Sequence, residues 1–396
     1  MGSKQPPTIY AAGNSWQRPH LPNVAFRFAP DRIPVILALL HAYIGVRLLA
    51  PFGVPVQALG ALVLVACFAL LPKGFRLPRG LGPRRLLVRW LTMGFFSWLL
   101  VLTLARDASL IAAGLAFAAP VHETWLRISA LGVMLATLAI TAIGFFMARR
   151  VAPVVNIEVR VAGLPAPLEG FTIAQISDIH VGPTIRRRFV ERIVERVNGL
   201  GADMIAITGD LVDGPVEELA HHTQPLARLV SRHGTYVVTG NHEYYSGVHG
   251  WVRELRRLGA HVLLNEHVVL EHAGASLTVA GVTDYSAHYF DPSHRSDPHR
   301  ALRGAPADSV KLLLAHQPRS ARAAAGAGYH LQLSGHTHGG QFWPWNLFVR
   351  LQQPFTAGLN RLGRMWVYIN RGTGYWGPPM RFGIPSEITL IRLVGE

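Results

Sequence analysis

LSGHTHGGQFW, residues 333–343, sets two histidines, His336 and His338, one residue apart among glycines. In a chain with 19 histidines such a pair arises readily by chance. It gains meaning only if other metal-binding side chains end other apolar strands, so that a fold can gather them. The surrounding sequence meets that condition. FTIAQISDIH, ADMIAITGDLVD, GTYVVTGNHEYY, LTVAGVTDY, VKLLLAHQP and YHLQLSGHTHGG read as buried strands, each closing on polar residues. RRRFVERIVERVNGL and EELAHHTQPLARLVSRH read as amphipathic helices between them. This alternation from residue 151 to 396 implies one large α/β domain.

Strand by strand, the polar ends are Asp178 with His180, Asp210, Asn241 with His242, His316, and His336 with His338. Ligand sites in α/β sheets form outside the carboxyl ends of the strands, so these ends converge. Oxygen and imidazole donors without thiolate suit Mn, Fe or Zn and argue against a cysteine-built structural zinc site. Seven candidate ligands exceed what one ion needs. Two ions about 3.5–4 Å apart can share a carboxylate, activate a water between them and neutralise charge on phosphoryl oxygens, as phosphate ester hydrolysis requires. Gly209, Gly240 and Gly335 stand beside these ligands, where the backbone must pass closely without a Cβ.

The N-terminal 150 residues are of another kind. They carry 15 Lys and Arg against three acids, Asp31, Asp107 and Glu123, and so +12 of the formal +15. That charge lies between apolar segments, not on a folded soluble domain, so the pI near 10.8 does not indicate a nucleic acid partner. Segments 33–50, 53–72, 90–105 and 126–148 approach the ~20 apolar residues that cross a bilayer core. Residues 108–120, following Arg106 and Asp107, read as a re-entrant, interfacial or fifth crossing segment. With four crossings, the basic loop 73–89, the N-terminal segment 1–32 (Lys4, Arg18, Arg27, Arg32) and Arg149-Arg150 all fall on the cytoplasmic side. The expectation is a multi-pass cell-membrane protein: a cytoplasmic segment 1–32, a membrane region 33–150 and a cytoplasmic domain 151–396. The one cysteine, Cys67, lies within an apolar segment and allows no intrachain disulfide.

SDIH, TGDLVD, GNHE, the histidine of LLAHQP and GHTHGG, in that order, resemble the calcineurin-like metallophosphoesterases. The resemblance covers roughly residues 155–396, no block departs from the family's metal-binding positions, and it looks closest to a bacterial membrane-anchored subgroup. It implies two packed mixed β-sheets flanked by helices, here preceded by the transmembrane helices. It implies that Asp178, His180 and His338 hold one divalent ion, Asn241, His316 and His336 a second, and that Asp210 bridges both. His242 would be the catalytic histidine, protonating the leaving oxygen or stabilising phosphoryl charge. The activity implied is a metal-dependent phosphoesterase. Members of the family cleave the diphosphate of UDP-diacylglucosamine or act on phospholipids, so the resemblance and the anchor together suggest a lipid-linked phosphate or diphosphate. The alternative is a membrane sensor or transport protein with a metal-binding domain that does not catalyse, which would be expected to lack a ligand or His242. Nothing in the sequence speaks to oligomeric state.

Other features stay double-valued. His221, His222, His261, His267 and His272 read as ordinary helix, strand or turn residues. The polar stretch DYSAHYFDPSHRSDPHR either overhangs the site, with Arg295 and Arg300 as phosphate contacts, or is a solvated loop. QFWPWNLFVRLQQPF is either a flap that meets apolar substrate or the membrane interface, or a segment packed on its own domain.

Overall fold

The computed structural model describes residues 32–74, 82–117 and 122–396, without the side chains of 72–74. Lys4, Arg18, Arg27, residues 75–81 of the basic stretch between the second and third apolar segments, and residues 118–120 lie outside the described residues. Four helices come first: α1 (Ile33–Leu49), α2 (Val54–Gly74), α3 (Pro83–Phe117) and α4 (Glu123–Arg149). Three of them, α2 to α4, are long and apolar enough to cross a membrane, while α1 is apolar over 17 residues.

Residues 108–117 are not a separate segment. They continue α3, whose 35 residues extend unbroken through Arg106 and Asp107. The charged pair does not end the helix because the bundle satisfies it. Arg106 donates to Ser129 Oγ at 2.8 Å and to the Leu126 carbonyl at 3.0 Å, and Asp107 accepts from Tyr43 and from Arg47, each at 2.7 Å.

The second half forms the expected pair of mixed sheets. Its elements are β1 (Val154–Val161), β2 (Thr172–Ile176), α5 (Arg187–Asn198), β3 (Met204–Ile207), α6 (Val216–Thr223), β4 (Thr235–Val237), α7 (Asn241–Tyr245), α8 (Val248–Arg257), β5 (His261–Val262), β6 (Glu266–His272) and β7 (Ala275–Gly281). There follow α9 (Pro298–Ala301), β8 (Val310–Leu314), α10 (Ala321–Ala327), β9 (Leu331–Ser334), α11 (Asn346–Val349), β10 (Gly358–Leu362), β11 (Met365–Ile369) and β12 (Ile388–Gly395). One six-stranded sheet has the order β1-β12-β2-β3-β4-β5 and the other β10-β11-β9-β8-β7-β6. In the first, β2 to β5 run parallel and β12 opposes β2; in the second, β7, β8, β9 and β11 run parallel between the antiparallel edges β6 and β10.

Ile173, Met204 and Ala206 of the first sheet meet Leu277, Leu312 and Leu333 of the second in a dry core between the sheets. Helices α5 and α8 cover the outer face of the first sheet through Val190, Ile193 and Trp251, and α10 covers the second through Ala321 and Ala324. Two expected boundaries move. The helix expected over 217–233 stops at Thr223, where Pro225 cannot donate to a continuing ladder and a 3₁₀ turn follows. The strand expected to run through NHEYY ends at Val237, and Asn241 opens the short α7 instead.

The two halves are joined by packing as well as by chain. Met380 is fully buried between α3 and α4, and Trp98 of α3 packs on it together with Phe342. A Cβ on Gly94 would come 2.6 Å from Met380 Cε, and one on Gly144 2.7 Å from Met380 Cγ. The Cε end can swing aside; Cγ, near the backbone, cannot. Gly144→Leu should therefore cost about 1–3 kcal/mol by overpacking. It should appear as a lowered Tm of the full chain in detergent that Met380→Ala partly restores, whereas Gly94→Ala should be milder.

Candidate metal centre

Strands β2, β3 and β4 of one sheet and β8 and β9 of the other end at the same edge. The loops that leave them carry every side chain of the expected cluster. Their backbone is unusual: Asp178, His180, Asp210, His336 and His338 all have φ between 50° and 70°. Left-handed conformations at non-glycine residues cost on the order of 1–3 kcal/mol each and collect at functional sites. Of the three neighbouring glycines only Gly209 shares this conformation, at φ 89°. Gly240 and Gly335 are required by crowding: a Cβ on Gly240 would collide with the Asp210 carboxylate, and one on Gly335 with Ser177 Oγ and Asp178 Oδ2. The close approach is therefore to the ligand side chains themselves.

The seven side chains fall into two adjoining groups. Asp178, His180 and His338 lie together, with His180 Nε2 3.0 Å from His338 Nε2 and His338 Nε2 3.4 Å from Asp178 Oδ1. Asp210, His316 and His336 form the second group, with His316 Nε2 3.1 Å from Asp210 Oδ2 and 3.2 Å from His336 Nδ1. Asp210 belongs to both neighbourhoods, since its Oδ2 is also 4.0 Å from His180 Nε2 and from His242 Nε2. Asn241 is buried beside them, and its Oδ1 has no hydrogen-bond partner. A buried orphan oxygen, together with imidazole nitrogens turned toward one another, is the chemistry of a donor set made for cations.

Further residues hold this set in place. His316 Nδ1 donates to the Thr208 carbonyl at 2.7 Å, which fixes the ring with Nε2 facing Asp210. His180 Nδ1 and His242 Nδ1 both meet Asp213 Oδ1, at 2.9 and 2.6 Å. Glu243 accepts from four backbone N–H groups, those of Gly240, Asp210, Leu211 and Val212, and so pins the β3 and β4 loops together. Arg381, fully buried, donates to the carbonyls of His338, Arg371 and Gly374, and its Nη2 lies 3.1 Å from His338 Nδ1. Gln317 donates to both oxygens of Asp284, at the end of β7 behind His316.

Without metal, charge is shared among these side chains: burial alone would lower His316, but the Asp210 charge outweighs it and lifts His316 well above the ordinary histidine value. Burial, with the neighbouring His316, lowers His336 to about 3, and burial with His180 holds His338 well below the ordinary histidine value, so both present neutral lone pairs. Burial alone would raise Asp210, but His316 and His242 outweigh it and keep the carboxylate ionised well below its usual range. Burial and then Asp210 raise Glu243 to about 7. His242 is lowered by burial yet lifted to about 9 by the Asp210 and Asp213 charges, which keeps it protonated at neutral pH in the metal-free chain.

Asp213 and Glu243 stand inside the quoted TGDLVD and GNHE blocks, where an acid three residues after Asp210 and another beside His242 were available as signals. Arg381 had none, because nothing in GPPMRFG marks it before the fold brings it under His338.

The remaining expected residues lie farther out. Arg295 and Arg300 are exposed, and the described contacts of both are through backbone: the Arg295 carbonyl accepts from Asn265, and the Arg300 N–H is capped by Asp297. Their segment is tied to the site's flank by His294, whose Nδ1 meets Tyr244 of α7 at 2.8 Å. His294 groups with His249 and Asp291, apart from the main cluster. His221 and His222 lie in α6, His267 bonds the Ala301 carbonyl, and His272 bonds His233. In the aromatic stretch both readings hold in part: Phe342 packs inside, while Trp343 and Trp345 stay 44% and 43% exposed.

Residues 171–340 match the family described as calcineurin-like phosphoesterase. The chain is 38% identical over 268 residues to a Danio rerio protein named "Transmembrane protein with metallophosphoesterase domain", across 66% of this chain and 61% of that one. It is 33% identical over 226 residues to an Aquifex aeolicus protein named "Uncharacterized metallophosphoesterase", across 57% of this chain and 85% of that one. Among solved structures, a 5'-nucleotidase precursor from Thermus thermophilus is similar at 16% identity and TM-score 0.37, over 56% of this chain and 54% of that one. The chain spans 61% and 62% of the lengths of the Danio rerio and Bos taurus relatives, so the resemblance extends to animals as well as to bacteria. With a relative matched over 85% of its length at 33% identity beside the family match, this chain belongs to the calcineurin-like metallophosphoesterases.

Proposed function

We propose that the protein is a membrane-anchored, dinuclear-metal phosphoesterase that hydrolyses a phosphoester or diphosphate bond. The observation that carries this reading is Asp210, whose carboxylate adjoins both ligand groups at once. In this reading Asp178, His180 and His338 would hold one divalent ion, Asn241, His316 and His336 the other, and Asp210 would serve both. Mn, Fe and Zn all suit these donors. When bound, such ions supply positive charge against the phosphoryl oxygens and lower the pKa of a water between them.

The chain's own residues do the rest. His242, protonated and oriented by Asp213, delivers its proton from Nε2 to the leaving oxygen, while Asp213 keeps the ring from turning away. Arg295 and Arg300 offer cations to the outer part of the substrate. Arg295→Ala should then raise KM by about three- to tenfold with kcat held, the pattern of a lost ground-state contact.

Four crossings, α1 to α4, put both ends of the membrane region on one side, and the basic residues Arg84, Arg85, Arg149 and Arg150 favour the cytoplasm for that side. A catalytic domain held against the membrane supports a lipid-linked phosphate or diphosphate as substrate. The test is hydrolysis of bis(4-nitrophenyl) phosphate by the full-length chain in detergent, stripped of metal and then given Mn²⁺. Turnover that appears with the metal is the expected result. A folded, metal-loaded chain that turns over neither this compound nor phospholipid would sink the reading in favour of a non-catalytic membrane sensor.

A further inference from the structure

Beyond α1 to α4, the catalytic domain has an apolar surface of its own. Trp343, Trp345, Leu347, Phe348, Leu351 and Trp376 are all large, apolar and exposed, Leu351 by 81%. They belong to two segments, 341–351 and 376–382, that are fastened together. The Gln341 side chain donates to the carbonyls of Trp376 and Pro378 and accepts from the Trp376 N–H, within 2.8–2.9 Å each.

Their level along the membrane helices can be read from residue counts. Met380 sits against Gly94 and Gly144, and Arg381 N–H donates to the Gly144 carbonyl at 2.9 Å. Gly94 comes five residues after Arg89, and Gly144 five before Arg149. At 1.5 Å per residue, the contact lies about 7.5 Å inward from the last basic residue of each helix. Trp345 donates to Ser97 Oγ at 2.7 Å, and Trp98 stacks on Trp343 at 5.7 Å between ring centres. Ser97, eight residues past Arg89, is about 12 Å inward on the same scale. Interfacial helices bury their apolar faces about 5–10 Å into the boundary between headgroups and acyl chains. Trp343 and Trp345, which touch α3 directly, therefore stand at hydrocarbon depth, and the exposed Leu347, Phe348 and Leu351 follow them in the same segment.

The same segments reach the metal centre. Gln341 follows His338 by three residues, the Trp376 ring lies 5.8 Å from the His242 ring, and Arg381 bonds the His338 carbonyl. We infer that segments 341–351 and 376–382 form a ridge sunk into the lipid leaflet beside α3 and α4, so that the metal centre opens at the headgroup plane and receives amphiphilic phosphates from the bilayer. What is received rests on the phosphoesterase reading; the immersion of the ridge does not.

The two parts are tested together on the full chain in phosphatidylcholine–phosphatidylglycerol vesicles. Cys67 is the one cysteine, so Cys67→Ala gives a background for Leu347→Cys and Leu351→Cys, each labelled with an environment-sensitive fluorophore, beside Glu195→Cys on exposed α5 as the aqueous reference. Labels at 347 and 351 should be quenched by lipids with brominated acyl chains and shielded from aqueous iodide. Iodide quenching equal to that at 195 would overturn the immersion. The double change Leu347→Glu with Phe348→Glu should raise KM for a vesicle-borne phosphodiester about tenfold or more through lost apolar insertion, and leave bis(4-nitrophenyl) phosphate turnover within about twofold. An equal loss on both substrates would overturn the access route. A parent chain whose labels are immersed but which cleaves neither substrate would sink the phosphoesterase reading and leave the immersion standing.

Discussion

Asp210→Asn is expected to lower kcat/KM of the full-length chain by about a thousandfold or more, the scale on which removal of one preorganised charge-stabilising group acts. Oδ2 of this residue lies 3.1 Å from His316 Nε2 and 4.0 Å from His180 Nε2, so both groups of candidate ligands adjoin one carboxylate. An amide of the same shape keeps one acceptor oxygen but loses the negative charge. Metal content measured by mass spectrometry should fall from two ions per chain, and the fold should survive. The metal-stripped variant should be less stable than the parent, because the Asp210 carboxylate is the charge that His316 and His242 face, and removing it leaves those buried imidazolium charges without their partner. Retained activity with both ions bound would refute the bridging role.

Asp213→Asn should have the second largest effect. Parent Asp213 takes hydrogen bonds on a single oxygen from His180, a proposed metal ligand, and from His242, the proposed proton donor. Loss of such an orienting carboxylate costs about 10–100-fold in metal affinity or activity; here two functions share it, so the activity loss should reach the upper end. Its pH signature is distinctive. In the metal-stripped chain His242 is raised to about 9, above its unfolded value of about 6.5. It therefore contributes stability that is complete below that lower value and lost as pH rises through the upper one. Thermal unfolding of the stripped protein between these pH values should show that slope, and Asp213→Asn should flatten it. An unchanged slope would mean that Asp213 does not hold the His242 proton.

The polar residues closing apolar strands made the side-chain cluster legible, because strand ends in an α/β sheet have a common direction and the seven candidate donors needed only that direction to meet. The pair of sheets came from the family resemblance, since alternation of apolar runs does not reveal how strands divide between sheets. Arg106 and Asp107 misled for a physical reason: charge in an apolar run looks like a boundary until partners 20 to 60 residues away, Leu126, Ser129 and Arg47, are folded against it. Arg381 was illegible on the same ground. Its buried guanidinium acts on His338, 43 residues away, and no local pattern encodes that distance.

The contact of Met380 and Arg381 with Gly144 has a consequence for how such a chain can change over time. Only residues 150–153 separate α4 from β1, and the Pro153 carbonyl already accepts the Ile388 N–H of the first sheet. Inserting one residue in α4 after Gly144 would turn everything beyond it by about 100° and shift it 1.5 Å along the axis, pulling the domain out of step with the glycine that receives Met380. The metal centre is in this sense phased to a helix, and insertions in α4 between residues 144 and 149 should be tolerated only in steps close to whole helical turns.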